Sequence, residues 1–218
     1  ALILAGILLS NLWIILVLLT AFRLYKHTQP YPPFYYLTLF LAYPVCALVP
    51  WAFYRLRRLE PADIGWSSKN LGRQAAIGLL IAVLLALLFL GGPLLFGAKL
   101  QDILAPAGSP SLYLILVQLV YQFFFVALFE EAIFRGFFFH EIRELARAEW
   151  AAILLSAALF GLMHYPNAQS LLQVLFTSLI GLIFAIFRAR VKDANLIALS
   201  LGHGLYGSIL LASRLIWL

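Results

Sequence analysis

The sequence predicts an all-α protein, a polytopic transmembrane bundle of about seven spanning helices around a polar intramembrane cavity. Three observations predict it. The chain is 64% hydrophobic and only 11% charged, with 18 phenylalanines in 218 residues, more apolar surface than a soluble domain of this length can bury. Its uncharged runs reach the roughly 18 residues or more that a spanning helix needs. Finally, Glu130, Glu131 and Arg135 are set among phenylalanines in FEEAIFRGFFF, directly after an uncharged stretch, Ile103–Phe129. A charge at membrane depth is expensive unless paired or solvated, so by default it marks a functional site.

Ala1–Phe22 is the first uncharged run. It lacks a small-residue cleavage pattern and is followed by basic residues, so it reads as a retained helix rather than a signal sequence. Phe34–Tyr54 is the second and holds Cys46 near Pro44. A single cysteine excludes an internal disulfide, and a small apolar packing role suits it. Gln74–Ala98 and Ser111–Phe129 are the third and fourth runs, and Ala194–Ser213 is the last. Between them, Trp150–Phe187 is uncharged apart from His164. The break at His164-Tyr165-Pro166-Asn167 divides it into a short helix and a full one. No repeat is evident, and the runs leave no room for a soluble domain, so residues 1–218 read as one integral membrane domain. The longest loop, Arg55–Arg73, reads as an interfacial segment containing Trp66.

Lysine and arginine placement orients the bundle. Arg55, Arg57, Arg58, Lys69 and Arg73 follow the second helix, Arg143 and Arg147 the fourth, and Arg188, Arg190 and Lys192 the sixth. The opposite side holds only Arg23, Lys26, Lys99 and Arg214. The positive-inside rule then makes the N-terminus and the basic loops cytoplasmic. The net charge of +6 is accounted for by a basic rim against anionic headgroups and needs no nucleic acid.

Within the membrane, Glu131 and Arg135 are four apart and share a helix face, where they can pair. Glu130 is rotated about 100° from Glu131. One carboxylate can therefore be neutralised while its neighbour points elsewhere, which gives Glu130 the chemistry and leaves Glu131 and Arg135 to hold the site. The architectural alternative is a Glu–Arg lock with the second glutamate facing solvent. His164 ends SAALFGLMH, with Phe160 one turn earlier, and His203 lies in SLGHGLYGS. Counted down from the cytoplasmic helix ends at 1.5 Å per residue, Glu130 and His164 lie about 20 Å deep and His203 about 14 Å. That similarity of depth places all three in roughly one layer lining a common cavity. His27 and His140 fall near helix ends and read as interfacial residues.

The block Glu130-Glu131-Ala132-Ile133-Phe134-Arg135, followed by Phe160-Gly161-Leu162-Met163-His164 and a histidine in a late helix, resembles the CAAX protease and bacteriocin-processing family of intramembrane proteases. The resemblance covers roughly residues 111–213. It implies an endopeptidase that cleaves peptide bonds of prenylated or membrane-associated substrates. Glu130 would be the general base, His164 its partner in activating water, and His203 the stabiliser of the oxyanion. The chemistry has its own logic, because peptide hydrolysis needs a base within reach of the water and a donor aimed at the developing charge.

One position departs from the family. Its third block is His-x-x-x-Asn or Asp, whereas Gly207 follows His203 here. Tyr206, Ser200 or Ser208 is then expected to replace the missing donor, with Tyr206 the best placed by sequence. The alternative is a catalytically reduced relative serving as a scaffold or accessory subunit of a membrane complex. A proton-relaying transporter is a third class, but the chain lacks the repeat or paired broken helices that would support it. No HExxH motif is present. Glu130, His164 and His203 nevertheless form a two-histidine, one-carboxylate set suited to zinc with an open position, and they suit a metal-free mechanism equally well. The expected partners are the bilayer and a membrane-associated peptide or protein.

Overall fold

The computed structural model describes residues 1–28, 32–97, 99 and 112–215. Ile103, Ser111 and Ala98, which bound three of the expected uncharged stretches, lie outside these residues, as do the side chains of Lys26, His27 and Arg214. The described chain is helical without a strand. In order come α1 (Leu2–Thr28), α2 (Pro32–Leu56), α3 (Leu71–Leu95), α4 (112–146), α5 (Glu149–Met163), the short α6 (Tyr165–Ala168), α7 (Leu171–Arg190) and α8 (Leu196–Leu215). Leu2–Leu24, Leu71–Leu95, Ile115–Ala146 and Leu171–Arg190 are long and apolar enough to cross a membrane. Phe40–Leu56, Glu149–Met163 and Leu196–Leu210 are shorter apolar helices. The break expected at His164 falls where α5 gives way to α6, and Ser170 caps α7 by accepting the Gln173 N–H at 3.4 Å. Leucines such as Leu8, Leu12, Leu79, Leu172 and Leu175 point outward and exposed, as a lipid solvent permits.

Two of the long helices are not uniform. π-helical turns occupy Leu87–Gly91 in α3, and Tyr121–Ala127 and Ala132–Phe138 in α4. The only α-helical turn between the last two is Leu128–Glu131, which holds both glutamates. π turns are rare and concentrate at functional sites. Stretches with at most one strongly polar side chain per π turn carry no periodicity from which they could be foreseen.

The chain forms two compact units. The first comprises Ala1–Ser67 and Phe129–Lys192, and the second Ser68–Leu128 and Asp193–Leu218. In the first, Ile14, Cys46, Phe53, Phe134, Phe137, Phe138, Phe139 and Phe160 belong to one buried cluster. α1 and α2 are tied where the Trp13 indole N–H donates to the Val45 carbonyl at 2.7 Å. α5 and α7 cross closely because Gly161 has no side chain. A Cβ there would overlap Ser178 Oγ and lie 2.5 Å from the Val174 carbonyl oxygen.

The second unit is built on the crossing of α3 and α8. Gly78 and Gly202 face each other: a Cβ on Gly78 would be 2.9 Å from the Ala198 carbonyl, and one on Gly202 would be 3.0 Å from the Gly78 carbonyl. Small residues at such crossings let backbones approach where no hydrophobic effect drives association. At the end of this pair Asn70 and Arg73 reach Asp193 at 3.4 Å each.

Gly161→Val should therefore force α5 from α7 and destabilise the protein by about 1–3 kcal/mol, the usual cost of overpacking. Gly72 meets nothing within 4 Å of its would-be Cβ, so Gly72→Ala should leave stability unchanged or raise it by up to about 1 kcal/mol through helix propensity. Thermal unfolding in detergent checks both.

Candidate active site

Glu130, Glu131 and Arg135 are all buried, with 1%, 0% and 0% exposure. The guanidinium of Arg135 is satisfied on several sides. Nη1 donates to Glu131 Oε1 at 3.3 Å, and Nη2 donates to the Gly181 carbonyl at 3.1 Å. Its flat faces meet aromatic rings, with Cζ 4.2 Å from the centroid of Phe160 and 5.2 Å from that of Phe184. Aromatic faces attract a desolvated cation, and arginine more often than lysine uses them. Gly181 makes the approach possible. A Cβ there would stand 3.2 Å from Nη2 and 3.0 Å from the Phe160 ring. The expected Glu131–Arg135 pair is thus present, and it is embedded in a larger cage that includes α5 and α7.

Phe160 links this cage to His164. The ring of Phe160 stacks edge-on against Phe134 at 5.4 Å and against His164 at 4.9 Å. His164 Nδ1 lies 2.9 Å from the Phe160 carbonyl oxygen. A carbonyl can only accept, so Nδ1 carries the proton, and in the neutral ring Nε2 offers a lone pair. The spacing Phe-x-x-x-His therefore sets both the ring's orientation and its tautomer. His164 is only half-buried.

Glu130, Glu131, Arg135 and His164 all belong to the first unit, whereas His203, Tyr206 and Gly207 belong to the second. His203 and Tyr206 are buried on α8, at 9% and 7% exposure. Ser208, one of the expected substitutes for a donor at 207, spends its hydroxyl on the Gly204 carbonyl at 2.7 Å.

Several contacts were not legible in the sequence. Cys46 is buried in the same cluster as Phe134 and Phe160. Arg57 bridges Glu141 at 3.0 Å and Glu144 at 2.6 Å, while His140 contacts Glu144 at 3.3 Å and the Asp63 carbonyl at 3.0 Å. Among the described residues the donor atoms of His140, Glu141 and Glu144 gather within 4.8 Å of one another. The Arg57 guanidinium already compensates those two carboxylates, which makes this an ionic latch between the end of α2 and α4. An apolar groove of about 390 Å³, lined by Trp51, Tyr54, Trp66, Phe129, Ala132 and Ile133 among others, opens beside the turn that carries the glutamates. Trp66, expected in an interfacial loop, is on its rim and exposed.

Removing one partner of a buried ion pair strands the other charge, at about 3–5 kcal/mol. Arg135→Leu should lose that much stability, whereas Glu131→Gln combined with Arg135→Met should recover most of it. Unfolding of both variants in detergent measures the difference, and equal losses would mean that the pair is not coupled.

The region that holds these residues also matches a family model. No curated protein and no solved structure matches the chain. The family model described as type II CAAX prenyl endopeptidase Rce1-like does match, over residues 112–209, a stretch that includes Glu130, Arg135, His164 and His203. Together with the apolar helices it supports an integral membrane protease. The likeness to the CAAX protease and bacteriocin-processing family, read from the Glu130–Arg135 and Phe160–His164 blocks, is thereby shown for residues 112–209.

Proposed function

We propose that the protein is an intramembrane endopeptidase that hydrolyses a peptide bond in prenylated or otherwise membrane-associated substrates, with a water molecule as nucleophile. The observation that carries this reading is the division of labour between two adjacent buried carboxylates. Glu131 bonds Arg135 at 3.3 Å, and Glu130, one residue away on the same turn and 1% exposed, stands at the position to which the family resemblance gives the general base.

In this mechanism His164 Nε2 accepts one hydrogen of the water, since Nδ1 is held by the Phe160 carbonyl. Glu130 takes the other proton as the oxygen attacks the scissile carbonyl carbon. The carbonyl oxygen becomes an oxyanion, which His203 stabilises by donating a hydrogen bond. As the C–N bond breaks, Glu130 returns its proton to the leaving amine. The low dielectric strengthens each of these interactions. The lone pair on His164 Nε2 and the Glu130 carboxylate are also donor types that zinc accepts, although among the described residues the donor atoms that gather are those of His140, Glu141 and Glu144. Bound at Glu130 and His164, the metal would supply Lewis-acid polarisation of the carbonyl.

The basic clusters at Arg55–Arg58 and Arg188–Lys192 support a cytoplasmic placement of those loops and of the N-terminus, which would orient the site toward substrates made in the cytoplasm. A scaffold or accessory role within a membrane complex is the competing reading, and activity decides between them.

Glu130→Gln keeps the shape and removes the base. It should lower kcat for a membrane-associated peptide, normalised to the folded fraction, by about 10²–10⁴. Equal cleavage by variant and wild type excludes Glu130 as the base, and no cleavage by the wild type favours the scaffold.

A further inference from the structure

His203 alone is a meagre oxyanion site, and the residue one turn further along α8, Gly207, has no side chain to help it. The structure shows what fills that space. A Cβ built on Gly207 would overlap the carboxamide of Gln122, with Cδ at 2.5 Å and Cγ at 2.7 Å. Its neighbour Phe123 lies in the same way over Gly204, where a Cβ would come within 2.6 Å of the ring. Two consecutive residues of the π turn Tyr121–Ala127 are thus laid on the two bare positions that follow His203. All of these residues belong to the second unit.

A carboxamide there is chemically conspicuous. Between residues 112 and 129 the chain is otherwise aliphatic and aromatic, apart from Gln118 one turn earlier. An amide in such surroundings is costly unless its N–H groups and oxygen are used. The primary amide brings two donors, and helical spacing puts Gly207, on which it rests, on the same side of α8 as His203. Ser208, the hydroxyl nearest in sequence, is already engaged with the Gly204 carbonyl.

We propose that Gln122 is a catalytic residue of the peptidase, donating a hydrogen bond from its carboxamide to the oxyanion beside His203. The π turn and the bare α8 face at Gly204 and Gly207 position it. This assignment rests on the function proposed above. It gives the role expected of Tyr206 to a side chain that reaches the site from another helix.

The test is steady-state cleavage of a membrane-associated peptide by the purified full chain. Gln122→Leu, and the isosteric Gln122→Glu, which has no N–H to give, should each lower kcat by about 10²–10³ with KM little changed. Gly207→Ala should give a similar loss without altering Gln122, because its Cβ displaces the carboxamide. The decisive variant is Gln122→Ala combined with Gly207→Asn, which returns a carboxamide from the opposite helix and should regain at least a tenth of wild-type kcat. A purely structural glutamine would not be rescued in this way. Wild-type kcat in Gln122→Glu and Gly207→Ala, with Glu130→Gln inactive, overturns the assignment and leaves the proposed function standing. Loss of activity in Tyr206→Phe together with wild-type kcat in Gln122→Leu returns the role to Tyr206. Absence of cleavage by the wild type overturns both proposals.

Discussion

A buried arginine organises the first unit. Arg135 has no exposed surface, and a guanidinium cannot escape its charge by losing a proton under ordinary conditions. Each part of the surroundings answers that constraint. Glu131 supplies the counter-charge, Gly181 supplies a carbonyl by having no side chain, and Phe160 and Phe184 supply π faces. These partners come from α4, α5 and α7, so satisfying one cation fixes three helices against one another. Phe160 then passes the constraint on to His164 through its ring and its carbonyl.

This arrangement gives the doubled glutamate a physical meaning. A single carboxylate next to Arg135 would be consumed by pairing with it. Two in sequence lie buried on the one α turn between two π turns, so that in the proposed mechanism one balances the arginine and the other is the base. The glycines follow similar reasoning. Gly161, Gly181, Gly78 and Gly202 are positions where another backbone or a guanidinium comes too close for a Cβ, and Gly207 is one where a side chain from elsewhere has moved in.

Much of the fold was legible because lipid imposes a simple rule on sequence. Uncharged runs marked the helices, and the break at His164 marked the α5–α6 junction. The pair Glu131–Arg135 was legible from its spacing alone. The π turns were not, because YQFFFVA and AIFRGFF each hold a single strongly polar side chain, Gln122 or Arg135, among apolar ones and one such residue sets no period to be shifted. The Arg135–Gly181 bond was also hidden, since a carbonyl acceptor leaves no residue-type signature. Gln122 was overlooked for a related reason. Tyr206, Ser200 and Ser208 are neighbours of Gly207 in sequence, whereas the space of a missing side chain is filled by whatever packs there, in this case a residue 85 positions earlier (207 − 122).

In the proposed mechanism Glu130 and Glu131, chemically identical and adjacent, do different things. The most direct measurement compares single-turnover cleavage by Glu130→Gln and Glu131→Gln, each normalised to its folded fraction. The account predicts that folded Glu131→Gln protein, although less stable, retains a cleavage rate within about tenfold of wild type. Glu130→Gln, fully folded, should lose at least about 10² in that rate. Comparable rates for the two variants, or loss confined to Glu131→Gln, would contradict the assignment of Glu130 as the base.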